Sequence, residues 1–352
     1  MSLPTTTAQW TLVGQNGFQD LHYEESVPIP ILGDHDCLIK LGAVSLNYRD
    51  LAIAKNDYPP GASIPVVPTS DGAGKIIAVG TRVREFKTGD RVCPLNTPGH
   101  RSGTMNPNKQ RTTLGGHYDG LLREYVVYED ETLVHVPGNL SLVEASTLPV
   151  AALTAWNVLH GCIGSSVKPG DVVLTQGTGG VSLFVVQFAL LAGATVIATT
   201  SALSGKKGQM LKELGVHHII DYVVDQNWGK TAKSLTLNGN GVDHVVDVAG
   251  AATLEQSLEA LRYEGTVSVV GFLSGMNDGM GPGLLSTLMR AQTVRGILAG
   301  SKVQFEDMNR AIEYHNIKPV VDGKTFNFKE AREAYQYLND QKHVGNVVIT
   351  LP

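Results

Sequence analysis

The sequence predicts an α/β protein of two domains, one built on a doubly wound parallel sheet and the other rich in short strands. Three observations predict this class. The run from Asp171 to Ser201 reads as strand, glycine loop, helix and strand, which is a parallel βαβ unit. Residues 8–45 instead alternate short apolar runs with turn signals, as antiparallel strands do. The length of 352 residues exceeds one typical core and indicates two domains.

Composition and charge exclude several classes of protein. A formal net charge of −5 leaves no basic patch, so nucleic acid is not expected as a partner. No stretch is long and apolar enough to span a membrane, and the first residues lack the features of a secretion signal. The three cysteines, Cys37, Cys93 and Cys162, are isolated from one another, as in reduced intracellular thiols. We therefore expect a cytoplasmic protein without a membrane partner.

The N-terminal half contains further strand signals and one long connection. After the first strands, SLNYRDLAIAKNDYP has a polar cluster that opens a short helix. IPVVPTSDGAGKIIAVG and VREFKTGDRV then read as strands joined by glycine and aspartate turns, which is typical of a small β-rich barrel. Residues 94–119, called the polar segment below, are long for a simple connection. The sequence leaves open whether this segment is a lid over an active site or surface decoration.

The glycine loop is the clearest functional signal. It follows the strand at Val172–Leu174 and precedes an apolar helix that runs to Ala192. The free N–H groups and the dipole of such a helix bind a pyrophosphate. A glycine triplet alone is weak evidence for a dinucleotide-binding loop, and the alternative is an ordinary tight turn. The strand before the triplet and the helix after it strengthen the evidence. The predicted dinucleotide contacts in this loop are Gly177, Thr178, Gly179, Gly180 and Val181.

The end of the next strand favours NADPH over NADH as the cofactor. An NAD site places an acidic residue there on the ribose 2′-hydroxyl, but no acidic residue occurs between Asp171 and Glu213. The hydroxyls of Thr200 and Ser201, with Lys206 and Lys207 nearby, are instead predicted to bind a 2′-phosphate. The alternative for the two lysines is solvation at the start of a surface helix.

Several ordered segments resemble the medium-chain dehydrogenase/reductase superfamily, which includes alcohol dehydrogenases, quinone reductases and enoyl reductases. They are SLNYRD, SDGAGKIIAVG, FKTGDRV, DGLLREYVV, LTQGTGGVS and LKELGVHHIIDY, and they match in order across nearly the whole length of the chain. The resemblance implies a GroES-like catalytic domain over residues 1–150, completed by residues 293–352. It implies a Rossmann NADP-binding domain over residues 151–292.

The resemblance also implies further cofactor contacts outside the glycine loop. The predicted contacts are Thr154, Tyr222, Val248, Gly271 and Phe272, and the alternative for Tyr222 and Phe272 is plain packing of their rings. Asn346, after the final glycine, stands where members of the superfamily often carry a lysine near the cofactor.

The positions that hold zinc in the zinc-dependent members differ here. Those members carry a ligand cysteine in the first segment and a His-Glu pair in the second, where this chain has Asn47, and Ser70 with Asp71. Asparagine and serine are poor zinc ligands. The structural zinc lobe needs four cysteines, but the polar segment contains none, and its His100 and His117 fit no familiar metal motif. We therefore expect no metal.

The expected reaction is hydride transfer from the nicotinamide to a small electrophilic substrate. Reduction of a ketone concentrates charge on one oxygen, which zinc stabilises in the zinc-dependent members. In an enone or a quinone the charge is delocalised, so a few hydrogen-bond donors suffice. The sequence thus favours an activated C=C or a quinone. Asn47, Tyr48 and Arg49 are the predicted catalytic residues, because SLNYRD matches the segment that borders the active site in zinc-free relatives.

The residues of SLNYRD each have more than one candidate role. Tyr48 is predicted as proton donor or oxyanion partner, whereas Arg49 and Asp50 can instead pair with each other to hold the start of a helix. Two other functions also stay open: a zinc-free alcohol dehydrogenase or carbonyl reductase, and a non-catalytic NADPH-binding protein. The oligomeric state is a homodimer or a monomer, because TVSVVGFL and GLLSTLMRAQTVRG fit either a dimer edge or the interior of one subunit.

Overall fold

The computed structural model describes residues 3–59, 61–162, 164, 166–275 and 284–352, and the chain divides into two compact units. One unit comprises Met1–Leu153 together with Gly300–Pro352, and the other comprises Thr154–Ala299. The second division falls after residue 299 rather than after 292, because the strand Thr293–Gly296 pairs with the sheet of the second unit. No helix in the described ranges is long and apolar enough to cross a membrane.

Fifteen strands are present in the described residues. They are β1 (Thr6–Leu12), β2 (Leu21–Pro28), β3 (Asp36–Leu46), β4 (Asp71–Val79), β5 (Arg91–Pro94), β6 (Tyr125–Glu129), β7 (Leu133–His135), β8 (Val172–Gln176), β9 (Thr195–Thr200), β10 (His218–Asp221), β11 (Val242–Asp247), β12 (Leu261–Val269), β13 (Thr293–Gly296), β14 (Phe326–Asn327) and β15 (Val347–Thr350).

Eleven α-helices accompany them in the same part of the chain. They are α1 (Tyr48–Ala54), α2 (Pro107–Gln110), α3 (Leu142–Ala145), α4 (Leu153–His160), α5 (Gly180–Leu191), α6 (Lys206–Glu213), α7 (Trp228–Ser234), α8 (Leu254–Ala260), α9 (Leu284–Leu288), α10 (Lys302–Tyr314) and α11 (Ala331–Asn339). A π-helical turn, Leu148–Ala152, precedes α4.

The first unit is β-rich, as the short strand signals predict. Its larger sheet has the order β14-β15-β3-β4-β5-β7, with β6 also paired to β3, and β1 and β2 form a separate antiparallel pair. The pairs β15-β3, β3-β4, β4-β5 and β5-β7 are antiparallel, whereas β14 and β15 are parallel. The apolar side chains of β3, among them Ile39 and Leu41, share a core with Tyr335 and Leu338 of α11. The unit therefore depends on residues from both ends of the sequence.

The second unit is built on a parallel sheet of six strands in the order β10-β9-β8-β11-β12-β13. Every pair of neighbours is parallel. A helix follows each strand from β8 to β12 and precedes the next strand, α5 to α9 in order, so the sheet is doubly wound. The direction of progression reverses between β8 and β11, which is where open sheets of this kind bind ligands. The predicted fold class is confirmed.

The polar segment is held by hydrogen bonds within the first unit. The ammonium of Lys109 donates to the carbonyl oxygens of Ser102 at 2.6 Å and of Thr104 at 2.9 Å. The carbonyl of His100 accepts a hydrogen bond from the N–H of Lys302 at 3.0 Å, at the first residue of α10. Hydrogen bonds thus connect residues within the polar segment and attach the segment to α10, in the C-terminal part of the chain.

Candidate active site

The helix that carries the predicted catalytic residues begins at a capped turn. Asn47 precedes α1 with an extended backbone, at φ −121° and ψ 160°. Its N–H donates to Oδ2 of Asp50 at 2.8 Å, which is one half of a capping box. The predicted polar cluster at SLNYRD therefore opens a helix, and the cap fixes the position from which the Asn47 side chain projects.

The carboxamide of Asn47 pairs with a buried carboxyl group. Strands β3 and β4 are antiparallel with Ser45 opposite Asp71, so the residue that follows β3 reaches the start of β4. Nδ2 of Asn47 donates to Oδ2 of Asp71 at 2.7 Å. Asp71 is fully buried, and this burial raises its pKa well above the ordinary value, although the hydrogen bond from Asn47 opposes the shift.

Arg49 lies in the same cluster and is almost enclosed. Its Nη1 donates to Oδ1 of Asp50 at 3.1 Å and to Oγ of Ser70 at 2.9 Å, and the side chain is 11% exposed. The guanidinium carbon lies 5.3 Å from the centroid of the Tyr58 ring. Burial lowers the pKa of Arg49, but the Asp50 charge and Tyr58 outweigh it and the pKa is raised. The ion pair that the sequence offered as an alternative role for Arg49 is present.

These side chains do not fit a zinc ion. Zinc takes thiolate, imidazole or carboxylate ligands. Here the amide of Asn47 directs an N–H at Asp71, and the Ser70 oxygen accepts from the cationic guanidinium of Arg49. The cluster therefore presents hydrogen-bond donors and a fixed positive charge instead of a ligand set. Within the described residues, no group of three or more His, Cys, Asp or Glu is arranged to hold a metal. We assign no step of the reaction to zinc.

Tyr48 occupies the first position of α1 and is half-buried. Burial and the nearby charge of Asp57 raise the pKa of its hydroxyl above the ordinary value. The hydroxyl therefore keeps its proton at neutral pH. This favours the oxyanion-partner role over the proton-donor role, because a phenol that holds its proton tightly donates a hydrogen bond without ionising.

The glycine loop has the shape that a pyrophosphate requires. Gly177 has a left-handed backbone at φ +76°, and its N–H donates to the carbonyl of Thr199 at 2.8 Å. Gly179 caps α5 with φ −78° and ψ 174°. A Cβ atom at either glycine would meet no atom within 4 Å, so the space before the helix is open. The first N–H groups of α5, including those of Gly180 and Val181, have no intrahelical acceptor there. A dinucleotide fits this loop.

The residues predicted to hold a 2′-phosphate divide into two groups. Thr200 is fully buried, and its Oγ1 accepts from the N–H of Ala202 at 3.4 Å. Ser201 is half-buried, and Nζ of Lys207 donates to its Oγ at 3.5 Å. Lys206 is exposed at the first position of α6. The structure thus brings Ser201 and Lys207 together and turns the Thr200 side chain into the protein.

The other predicted cofactor contacts follow the ends of the parallel strands, with two exceptions. Tyr222 follows β10, Val248 follows β11, and Gly271 and Phe272 come shortly after β12. A Cβ at Gly271 would lie 2.4 Å from the Val248 carbonyl oxygen, so a glycine is required where these two loops approach. Thr154 is buried in α4.

Asn346 differs from the other predicted contacts because it belongs to the first unit. It is buried, and its Nδ2 donates to Oγ of Ser45 at 3.2 Å. Its side chain therefore has a partner in β3.

Comparison with known proteins gives a consistent assignment for both units. The family model described as an alcohol dehydrogenase GroES-like domain matches residues 33–138, and that of a zinc-binding dehydrogenase matches residues 180–314. A zinc-type alcohol dehydrogenase-like protein of Schizosaccharomyces pombe is 44% identical over 96% of each chain. The chain belongs to the medium-chain dehydrogenase/reductase superfamily. It is therefore an oxidoreductase, and the superfamily with its Rossmann-like domain implies a nicotinamide cofactor.

Two further relatives of this medium-chain dehydrogenase/reductase differ in the chemistry that their names state. A 2-haloacrylate reductase of a Burkholderia species is 31% identical and covers 96% of this chain and 97% of its own. The crystal structure of an NAD-dependent alcohol dehydrogenase is 30% identical, with a TM-score of 0.86, and covers 98% of this chain and 100% of that chain.

Two buried polar residues of this oxidoreductase were missed by the sequence reasoning. Gln176 ends β8 and Asp247 ends β11, directly before the two loops that carry the predicted contacts. Both are buried. The available signal was a polar side chain at the last position of a strand, because such a position lies at the ligand-binding edge of a parallel sheet.

Proposed function

We propose that this oxidoreductase uses NADPH to reduce an activated C=C or a quinone. The supporting observation is that Asn47, Ser70 and Asp71, which stand at zinc-ligand positions by resemblance, are instead joined by hydrogen bonds from the Asn47 amide to Asp71 and from the Arg49 guanidinium to Ser70. When bound, the nicotinamide supplies the hydride. The residues of this chain then have to stabilise the negative charge that the hydride brings to the substrate.

The substrate class follows from the strength of these donors. After hydride addition to a conjugated carbon, the charge spreads into an enolate or a phenolate, and ordinary hydrogen bonds stabilise it. The Tyr48 hydroxyl keeps its proton because its pKa is raised, so it is suited to donate such a bond. The name of the 31% identical 2-haloacrylate reductase, which refers to a conjugated C=C, supports the same class.

NADPH is proposed on the residues at the end of β9. Lys207 and Ser201 offer an ammonium and a hydroxyl that are already within 3.5 Å of each other. A carboxylate that would repel a 2′-phosphate is absent from the sequence between Asp171 and Glu213. One structural relative is NAD-dependent. The proposal of NADPH therefore rests on the residues of this chain and not on its relatives.

The test is oxidation of NADPH, with NADH alongside, against a 2-alkenone, a benzoquinone and the saturated ketone that matches the alkenone. We expect turnover of the conjugated substrates only, and faster with NADPH. Turnover of the saturated ketone would replace the proposal with a zinc-free carbonyl reductase. Binding of NADPH without turnover of any of the three would indicate a binding protein instead.

The same assay checks the role of Tyr48. Replacing Tyr48→Phe removes one donor to the developing charge, so kcat should fall by about a hundredfold with little change in KM. Tyr314→Phe is the matched control, because Tyr314 is 85% exposed on α10. Equal rates for the two variants would remove Tyr48 from the reaction.

A further inference from the structure

Two buried polar side chains meet where the order of the parallel sheet reverses. Gln176 is the last residue of β8 and is 6% exposed, and Asp247 is the last residue of β11 and is fully buried. Strands β8 and β11 are neighbours, so the two side chains lie beside each other although they are distant in sequence. Gly177, the first residue of the glycine loop, directly follows Gln176.

Asp247 holds the loop that follows β11. Its Oδ1 accepts hydrogen bonds from the N–H groups of Ala249 at 3.1 Å and Gly250 at 2.8 Å. The hydroxyl of Thr253 lies 2.9 Å from both carboxylate oxygens, and the hydroxyl of Ser257 donates to Oδ2 at 2.7 Å. Backbone N–H groups can only donate, so Oδ1 of Asp247 accepts from both of them, and Oδ2 accepts from the Ser257 hydroxyl.

The bond from Ser257 determines the orientation of Gln176. Because Ser257 gives its only proton to Asp247, its oxygen is left to accept from Nε2 of Gln176, at 3.0 Å. The carbonyl end of the amide then faces the other way, and Oε1 accepts from the N–H of Val248 at 3.2 Å. These hydrogen bonds therefore determine the positions of Oε1 and Nε2 in the Gln176 amide.

Gln176 is also tied to the helix that follows the glycine loop. Its backbone carbonyl accepts a hydrogen bond from Oγ of Ser182, in the first turn of α5, at 2.6 Å. One residue thus contacts the β11 loop through its side chain and the glycine-loop helix through its backbone. The chain Asp247, Ser257, Gln176 is called the relay below.

We propose that the relay positions the loop Val248–Gly250 relative to the glycine loop, so that one dinucleotide can contact both. Gln176 and Asp247 are positioning residues, which act through the loops and not on the ligand. The inference rests on the proposed binding of a nicotinamide dinucleotide by this unit. Without the relay, the N–H of Val248 loses its acceptor and the spacing of the two loops is no longer fixed.

The test compares the whole coenzyme with its adenosine half. The probes are NADPH with 2′,5′-ADP, or NADH with 5′-AMP if the enzyme prefers NADH. In Gln176→Leu, the dissociation constant of the coenzyme should rise about tenfold, because the N–H of Val248 loses its acceptor in the loop that Gln176 positions. The constant for the adenosine half should stay within about twofold, since the residues proposed to hold its 2′-phosphate, Ser201 and Lys207, follow β9 and are not in the β11 loop.

Gln292→Leu is the matched control. Gln292 is a buried glutamine of the same unit, and its Nε2 donates to the Leu258 carbonyl at 3.0 Å. This variant also loses a buried amide but is expected to leave both dissociation constants unchanged. Ser257→Ala is a milder second variant, because it removes the middle of the relay with little change in volume, and it should reproduce the selective loss.

Each result distinguishes the relay from the function on which it rests. Equal weakening of the coenzyme and the adenosine half in Gln176→Leu and Ser257→Ala would overturn the relay, and so would the same selective loss in Gln292→Leu. Unchanged binding of both probes in the two relay variants would also overturn it. Failure of the wild-type protein to bind either coenzyme would overturn the proposed function and the relay together.

Discussion

Asp71 is buried at the start of β4, and its burial has a consequence for stability that can be measured. In the unfolded chain an aspartate ionises near its ordinary pKa, at about 4. In the folded protein the pKa of Asp71 is raised, chiefly by burial. Between these two values the folded state binds more protons than the unfolded state. The free energy of unfolding therefore falls as pH rises through this range.

The variant Asp71→Asn should remove this pH dependence. An asparagine is neutral, and its oxygen can still accept the hydrogen bond from Nδ2 of Asn47. Relative to this variant, the wild-type protein should lose stability as pH rises from about 4 towards the raised pKa of Asp71. Urea unfolding at a series of pH values measures the difference.

Asp340 supplies a control of opposite sign. Hydrogen bonds from Lys342 and Gln336 lower the pKa of this exposed carboxyl group. Relative to Asp340→Asn, the wild-type protein should gain a little stability as pH rises. The account of Asp71 fails if both comparisons change in the same direction.

At the scale of elements, the unit from β8 to β9 could be predicted because all its signals are local. The strand, the glycines, the helix and the second strand are consecutive in the sequence. The relay could not be predicted, since Gln176 and Ser257 are 81 residues apart and meet only because β8 and β11 are adjacent in the sheet. The pattern of residues along the chain does not indicate the order of the strands in a sheet.

The same limit applies to single side chains at the ends of elements. Thr200 and Ser201 were predicted together, but Thr200 is the last residue of β9, in a parallel sheet that is covered on both faces, whereas Ser201 lies in the turn that follows. Thr200 is therefore buried and Ser201 is only half-buried. Asn346 was predicted from its place after a glycine, whereas its partner Ser45 comes from β3, about three hundred residues earlier.

The turn between β9 and α6 should control the choice of coenzyme. Ser201→Asp introduces a carboxylate that repels a 2′-phosphate and can accept a hydrogen bond from a ribose hydroxyl. The ratio of kcat/KM for NADPH to that for NADH should fall by at least about tenfold, since like charges at close range are strongly unfavourable. Steady-state kinetics with both coenzymes measures the ratio.

The two lysines of this turn should differ in their effect on coenzyme choice. Lys207→Ala should weaken NADPH selectively, because Lys207 already contacts Ser201. Lys206→Ala should have little effect, because that side chain is exposed. An unchanged preference in Ser201→Asp would contradict the proposed 2′-phosphate site.

At the scale of the whole molecule, β13 is the last strand of the parallel sheet, and among the described residues it pairs only with β12. Exposed apolar side chains lie on β13, on the preceding helix α9 and directly after that helix, namely Val294, Leu285, Leu288 and Met289. An unpaired edge with apolar neighbours is a template for a second strand. We propose that a second copy of the chain pairs there, although the predicted segment begins at Gly283, outside the described residues.

Light scattering should then give twice the chain mass of 37.6 kDa. Val294→Lys places a charge on the edge strand and should halve the measured mass. Leu237→Lys should leave it unchanged, because Leu237 is 81% exposed on a turn elsewhere in the same unit. A wild-type protein with the mass of one chain would exclude this dimer.

The position of β15 bears on how the chain is made in the cell. This strand pairs with the last residues of β3, Ala43–Leu46, but it is translated only after the whole of the second unit. Domains fold as units while the chain emerges from the ribosome, so the contiguous second unit can fold first. During that time the end of β3 lacks β15 as its partner strand. Conditions that slow translation of residues 154–299 therefore prolong the exposure of an aggregation-prone edge in the nascent chain.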